Sequence, residues 1–162
     1  MNTVCDSSTL IALAKIGHLN ILKKIVKNLI IPPSVYEEVV IKGAGKSGSA
    51  EIRKAKWIEK KEVSDRELVV RLNTILHYGE SEAIALAKEI KAGLIILDDD
   101  KARKVAISEG LRVTGLLILL IWAKEKGAIK EVKPLIDKLR QERFFMSEEL
   151  YQSVIQEAEE WI

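Results

Sequence analysis

Apolar positions along this chain alternate between short continuous runs and stripes of helical period. That alternation predicts a parallel sheet covered by helices. Residues 3–5, 29–31, 94–97 and 111–113 read as strands, and Trp57-Ile58 as an edge strand. Helical patterns fill the intervals at residues 8–16, 19–27, 49–55, 80–90, 101–109, 116 to about 127, 130–142 and 147–161. Gly17 and Gly93 are placed to close the first and fourth of these, since glycine takes the left-handed helix-ending conformation at least cost. Ser34-Val35-Tyr36-Glu37 and Ser64-Asp65-Arg66-Glu67 have capping-box spacing, so each should open a helix. Leu68, Leu72, Ile75 and Leu76 follow the second box along one face. The eight apolar residues 116–123 predict a helix buried on all sides. In the last helix, Leu150, Tyr151, Val154, Ile155, Ala158 and Trp161 form one stripe, to be covered by the chain's own core, another subunit or a partner helix.

A length of 162 residues reads as a single domain, with a core over about 2–125 and a helical extension over about 128–162. An apolar content of 48% and a charged content of 31% fit a water-soluble globular fold. The net charge of +2 gives no global basic field, so affinity for a polyanion must come from local patches. The lone Cys5 excludes an internal disulfide and fits a reducing, cytoplasmic setting. No leader segment is expected, and no membrane span, which needs about 20 apolar residues.

Acidic side chains change the picture most. Asp6 directly follows the first strand, and Asp98-Asp99-Asp100 follow the run 94–97. Ligands of open α/β sheets bind beyond the carboxyl ends of the strands. Carboxylates gathered there repel one another unless a cation joins them. With Glu38 and Glu80 added, Asp6 and the Asp98/Asp99 pair make an all-oxygen candidate site, which suits Mg²⁺ or Mn²⁺. Only two histidines exist, His18 and His77, which excludes a His-rich zinc site and disfavours RNA cleavage by a histidine pair. Ala83, Ile84, Ala87 and Ile90 form the apolar stripe of their helix, and Glu80 stands one turn before it on the same face. Glu82 falls roughly 160–200° away and is expected to face solvent. Glu37 is expected to be tied up in its capping box, which leaves Glu38 for the site. Two outcomes of substitution follow: Glu82→Gln should be almost silent, and Asp6→Asn should raise the melting temperature of the metal-free protein by relieving repulsion.

Cations for a phosphate backbone are Lys42, Lys46, Arg53, Lys54, Lys101, Arg103 and Lys104, with Arg103 favoured because it lies one turn after Asp99. Gly43-Ala44-Gly45-Lys46-Ser47 looks like the tail of a phosphate loop. However, Val40 occupies the position of the required first glycine, and the segment follows a helix, so a flexible loop is expected.

Four segments in order, DSSTLIAL (6–13), PPSVYEEVV (32–40), GESEAIALA (79–87) and LDDDKAR (97–103), resemble the acidic motifs of PIN domains. The likeness is greatest to the archaeal and bacterial branch related to VapC toxins. The resemblance implies a Rossmann-like three-layer α/β/α fold with a mostly parallel sheet. Its first and fourth strands would be neighbours and would bring Asp6 beside Asp98 and Asp99. It further implies an Mg²⁺- or Mn²⁺-dependent endoribonuclease leaving 5′-phosphate and 3′-hydroxyl ends. In it Asp6, Glu38, Glu80 and Asp99 would be catalytic, and Asp6, Asp98, Asp99 and Glu80 would hold metal. Ser7, Ser8, Arg103 and Lys46 would contact RNA; an antitoxin protein and a second copy of the chain are the other implied partners. Two departures stand out: Leu97 replaces a hydroxyl residue of the motif, and Glu80 stands where many members have Asp. The competing expectation is a weakly active or inactive PIN-like module that binds RNA or protein.

Overall fold

Five parallel strands form the centre of the computed structural model, which describes residues 2–160. β1 is Asn2–Cys5, followed by α1 (Ser7–Lys15) and α2 (Asn20–Ile25). β2 is Asn28–Ile31, followed by α3 (Pro33–Tyr36), which runs on into a π-helical turn at Glu37–Ile41, and by α4 (Ser49–Lys54). β3 (Ile58–Lys60) leads to α5 (Arg66–Leu72) and α6 (Tyr78–Glu89); β4 (Leu94–Ile96) to α7 (Asp100–Ser108); and β5 (Val113–Thr114) to α8 (Leu116–Glu125), α9 (Lys133–Gln141) and α10 (Glu148–Glu157). The sheet order is β3-β2-β1-β4-β5, so β3 is an edge and β1 and β4 lie side by side. Val4 is in register with Ile30 on one side and Ile95 on the other.

Side chains alternate across each strand and divide the core into two layers. Cys5, Leu29, Ile31, Leu94 and Ile96 pack on the face covered by α1, α2, α8, α9 and α10. Val4, Ile30, Ile95 and Leu97 pack on the opposite face, against α5, α6 and α7. This is the three-layer α/β/α arrangement expected. The chain leaves β1 toward one layer and β4 toward the other, which opens a crevice at the switch point between them.

Several local expectations fail, each for an identifiable reason. Neither capping box forms as read. Pro33 takes the first helical position, where its missing N–H costs nothing, so Pro32 is the N-cap and Ser34 lies inside α3. The second helix is capped by Asp65, whose Oδ1 accepts from the Leu68 N–H at 3.1 Å. The Ser64 and Asp65 N–H groups instead donate to Glu89 Oε1, at 2.9 and 3.0 Å. α5 stops at Leu72, which leaves Ile75 half-exposed beyond it. Lys91, at φ 52°, turns the chain out of α6 in place of Gly93. α8 is not buried all round, since Ile118 is 47% exposed. The stripe on α10 packs on the chain's own core through Tyr151, Val154 and Ile155; Leu150 is left 45% exposed, and Trp161 lies outside the described residues. No helix among the described residues is long and apolar enough to cross a membrane.

Candidate active site

Asp6 is built into the seam between β1 and β4. Its N–H continues the ladder by donating to the Ile96 carbonyl at 3.1 Å. Its side chain caps α1, with Oδ1 accepting from the Thr9 N–H at 3.0 Å. Oδ2 accepts from the Asp98 N–H at 2.8 Å and so staples the end of β1 to the residue after β4. The residue is 4% exposed. Burial raises its pKa; the N–H groups of Asp98 and Thr9 pull it back, and the Asp98 charge raises it again. Each oxygen has used one lone pair, and one remains.

The other acids gather around this point. Asp98 is half-buried, and burial together with the Asp99 charge lifts its pKa against the pull of Arg103. Asp99 is exposed and caps α7, its Oδ2 accepting from the Ala102 N–H at 2.9 Å. Asp100 is exposed and pairs with Arg103 Nη2 at 2.9 Å. Glu38 sits in the π turn, where Oε2 accepts from the Ser7 hydroxyl at 2.7 Å. That turn winds one extra residue into the helix, with Lys42 N–H donating to the Glu37 carbonyl at 2.8 Å. A Cβ on Gly43 would strike the Val39 carbonyl, so only glycine fits behind the turn. Glu38 therefore reaches the site, although Glu37 is not held in a capping box as expected. Glu80 is half-buried, and Oε1 accepts from the His77 N–H at 3.2 Å. Burial raises its pKa, and the charges of Asp99 and Asp6 add to the shift against the His77 N–H.

Asp6, Ser7, Ser8, Glu38 and Glu80 thus line one cleft of about 110 Å³, closed by His77 and Gly79. Gly79 matters because a Cβ there would collide with Glu38 Oε1. The buried Ser34 hydroxyl lies on the same side and has no hydrogen-bond partner among the described residues. Asp98 and Asp99 border this cleft without lining it. Arg103 is committed to the loop it follows: Nη1 donates to the carbonyls of Leu97 at 3.1 Å and Asp98 at 3.0 Å. Lys46 lies in the exposed turns after the π helix, apart from the cleft, where the Gly43–Ser47 stretch makes no phosphate loop between strand and helix.

In kind, the donors fit a hard divalent cation. They are all oxygen, and burial with mutual repulsion raises the pKa of Asp6, Glu80 and Asp98. They do not form a finished cage, since no three potential ligands converge among the described residues. Asp6, Glu38 and Asp99 each spend an oxygen on a donor of their own chain.

Glu82 was missed by the sequence reading. It is 3% exposed and does not face solvent. Oε1 accepts from the Ser34 N–H at 3.0 Å, and Oε2 accepts from Arg66 Nη1 at 2.7 Å and the Tyr78 hydroxyl at 3.2 Å. Burial pushes its pKa up, but Arg66, Ser34 and Tyr78 together hold it below the usual carboxylate range. Residues 83–87 (AIALA) were the available signal: five apolar residues in a row leave a helix no polar side.

These acids fall into two sets with opposite pH signatures. A carboxyl whose pKa is raised in the fold adds stability when protonated, and that contribution is lost as pH rises through the folded pKa. Asp6, Glu80 and Asp98 belong here. Glu82 has a lowered value, as do two acids of the C-terminal helical region, Asp137, which accepts from the Tyr151 hydroxyl, and Glu160, which accepts from the Val132 and Lys133 N–H groups, so their contribution is lost as pH falls through the folded pKa. Metal-free protein should therefore gain melting temperature as pH falls from neutral toward the raised values, then lose it at lower pH. Thermal melts in EDTA across pH check this, and a melting temperature that only declines from neutral downward would contradict it.

A three-layer α/β/α fold with an all-parallel sheet and acids at the ends of its two inner neighbouring strands is a PIN-like architecture. The profile of the PIN domain family DUF3368 matches residues 2–160, and the chain belongs to the PIN domain family. That family is of nuclease type; its members generally act on nucleic acid and typically use divalent metals. The matched region takes in all four acidic segments and the two C-terminal helices. No curated protein matches the chain.

Proposed function

We propose that this chain is a metal-dependent endoribonuclease that hydrolyses RNA phosphodiester bonds. The observation that carries the reading is Asp6, buried at the switch point, tied to Asp98 and facing Glu38 and Glu80 across one cleft. Asp6, Asp98, Asp99 and Glu80 are the residues to hold Mg²⁺ or Mn²⁺. When bound, the ion supplies electrostatic stabilisation of the phosphoryl oxygens and a lowered pKa for water.

The chain's own residues do the rest. Ser8 stands exposed at the mouth of the cleft beside Ser7, where its hydroxyl can donate to a phosphate oxygen. Ser7 holds Glu38 in place, and Glu38, being exposed, is the group to accept a proton from the attacking water. The water oxygen bonds to phosphorus as the bond to the 3′ oxygen breaks, and the leaving oxygen takes up a proton. The products carry 5′-phosphate and 3′-hydroxyl ends.

The test is incubation of the full chain with a single-stranded RNA oligonucleotide in Mg²⁺, in Mn²⁺ and in EDTA, followed by end-group analysis. Cleavage that leaves 5′-phosphates and stops in EDTA is the expected result. Undiminished cleavage in EDTA overturns the metal dependence. Binding without cleavage at any metal concentration favours an RNA-binding module.

A further inference from the structure

A second cavity, of about 480 Å³, lies on the other side of Asp98 from the acidic cleft. Its polar wall is Asp98 just after β4, Arg103 on α7 and Arg112 just before β5; its apolar wall comes from α8, α10 and the loop between α9 and α10. That loop holds Phe145 at the cavity edge with 93% of its surface exposed. Ile118 and Leu150, also exposed, extend the same apolar surface. Single exposed apolar residues need no explanation, but a contiguous set bordering a cavity does.

Two features identify what fits there. First, the cavity adjoins the candidate site at Asp98, which lines it and whose N–H donates to Asp6 Oδ2. Second, its charge is cationic and partly unspent. Arg112 is exposed and forms no ion pair among the described residues. An apolar peptide or a second copy of this surface would leave Arg112 without a counter-ion. A nucleotide satisfies both walls at once, with a flat ring for the phenyl face and a phosphate for the guanidinium. The volume falls within the range of small-ligand sites.

We propose that this cavity is a base-binding subsite. It takes one unpaired base of an RNA strand next to the phosphate at the acidic cleft, stacked on Phe145, with Arg112 on a neighbouring phosphate. This rests on the nuclease reading for its choice of polymer. A paired base would first have to leave its stack to enter the cavity.

The test is binding of the full chain to a single-stranded RNA oligonucleotide containing 2-aminopurine, with Ca²⁺ in place of Mg²⁺, read by anisotropy and by base quenching. Phe145→Ala should weaken binding by about 5- to 150-fold and abolish quenching, while Phe145→Trp keeps both. Arg112→Gln should lower the slope of log affinity against log salt by about one. Phe145 is too exposed for its loss to unfold the protein, and an unchanged melting curve checks this. Wild-type affinity in Phe145→Ala overturns the inference. So does a Phe145→Ala effect confined to self-association in sedimentation, which would make the patch a contact between copies. Cleavage in Mg²⁺ separates the two readings: wild-type cleavage with normal RNA binding by Phe145→Ala defeats the subsite alone. Quenching that depends on Phe145, without cleavage, supports the subsite and defeats the nuclease.

Discussion

Asp6→Asn should reduce metal-dependent RNA cleavage by more than about 100-fold, because even residues one layer behind a metal ligand are worth about 10–100-fold. It should also lower the melting temperature of the metal-free protein, contrary to the rise expected from charge repulsion alone. Both Asp6 oxygens accept backbone N–H groups, from Thr9 and from Asp98. A carboxamide has one acceptor oxygen, so one of those donors would face an NH₂ group. A buried donor left without an acceptor costs about 1–3 kcal/mol. Removing a buried charge offsets part of that cost, and relief of repulsion from Asp98 adds least, because Asp98 is only half-buried and is countered by Arg103. At this chain length the net change corresponds to a fall of roughly 2–12 °C. Asp99→Asn is the control: its single capping bond survives in an amide, so activity should fall while the melting temperature holds. Activity and thermal melts on both variants decide the matter, and wild-type cleavage by Asp6→Asn would remove Asp6 from the site.

Glu82→Ala should be the most destabilising single change among the acids of this region. Glu82 joins α3 through the Ser34 N–H, α5 through Arg66 and the start of α6 through Tyr78. Removing it strands a buried backbone donor and a guanidinium. Breaking a buried pair costs about 3–5 kcal/mol, and the lower end applies here because Arg66 is half-exposed. A loss of about 3 kcal/mol lowers the melting temperature by roughly 6–12 °C. Cleavage should fall as well, because α6 and the π turn that continues α3 bring Gly79 and Glu38 together. Glu82→Gln keeps an acceptor for Ser34 and loses the charge toward Arg66, so its effect should be smaller but measurable. A Glu82→Ala melting temperature equal to wild type would show that the three-helix junction holds without it.

The contrast between Glu80 and Glu82 marks where the sequence was legible. β1 and β4 are buried on both faces, so they appear as short apolar runs, and the acids just beyond them stand out in the sequence. Helical phase also placed Glu80 in the cleft. The same phase misplaced Glu82, because its partners Ser34 and Arg66 come from other helices 48 and 16 residues away. Local spacing cannot show such bonds. The capping boxes failed for a related reason: Pro33, Asp65 and Glu89 competed for the same positions. The π turn left no periodic trace, although it decides where Glu38 points. Phe145 and Arg112 carried no motif at all; only the fold, with α10 set against α8, brings them to one cavity.

The hydrogen bond from Asp98 to Asp6 spans 92 residues. During synthesis, a chain that has not yet passed Asp98 contains the first three acidic segments and none of the seam that unites them. Such long-range contacts are costly to close and form slowly. A nascent chain short of Asp98 therefore lacks the bond that pins the second oxygen of Asp6, and the fourth acidic segment joins the other three only when β4 arrives beside β1.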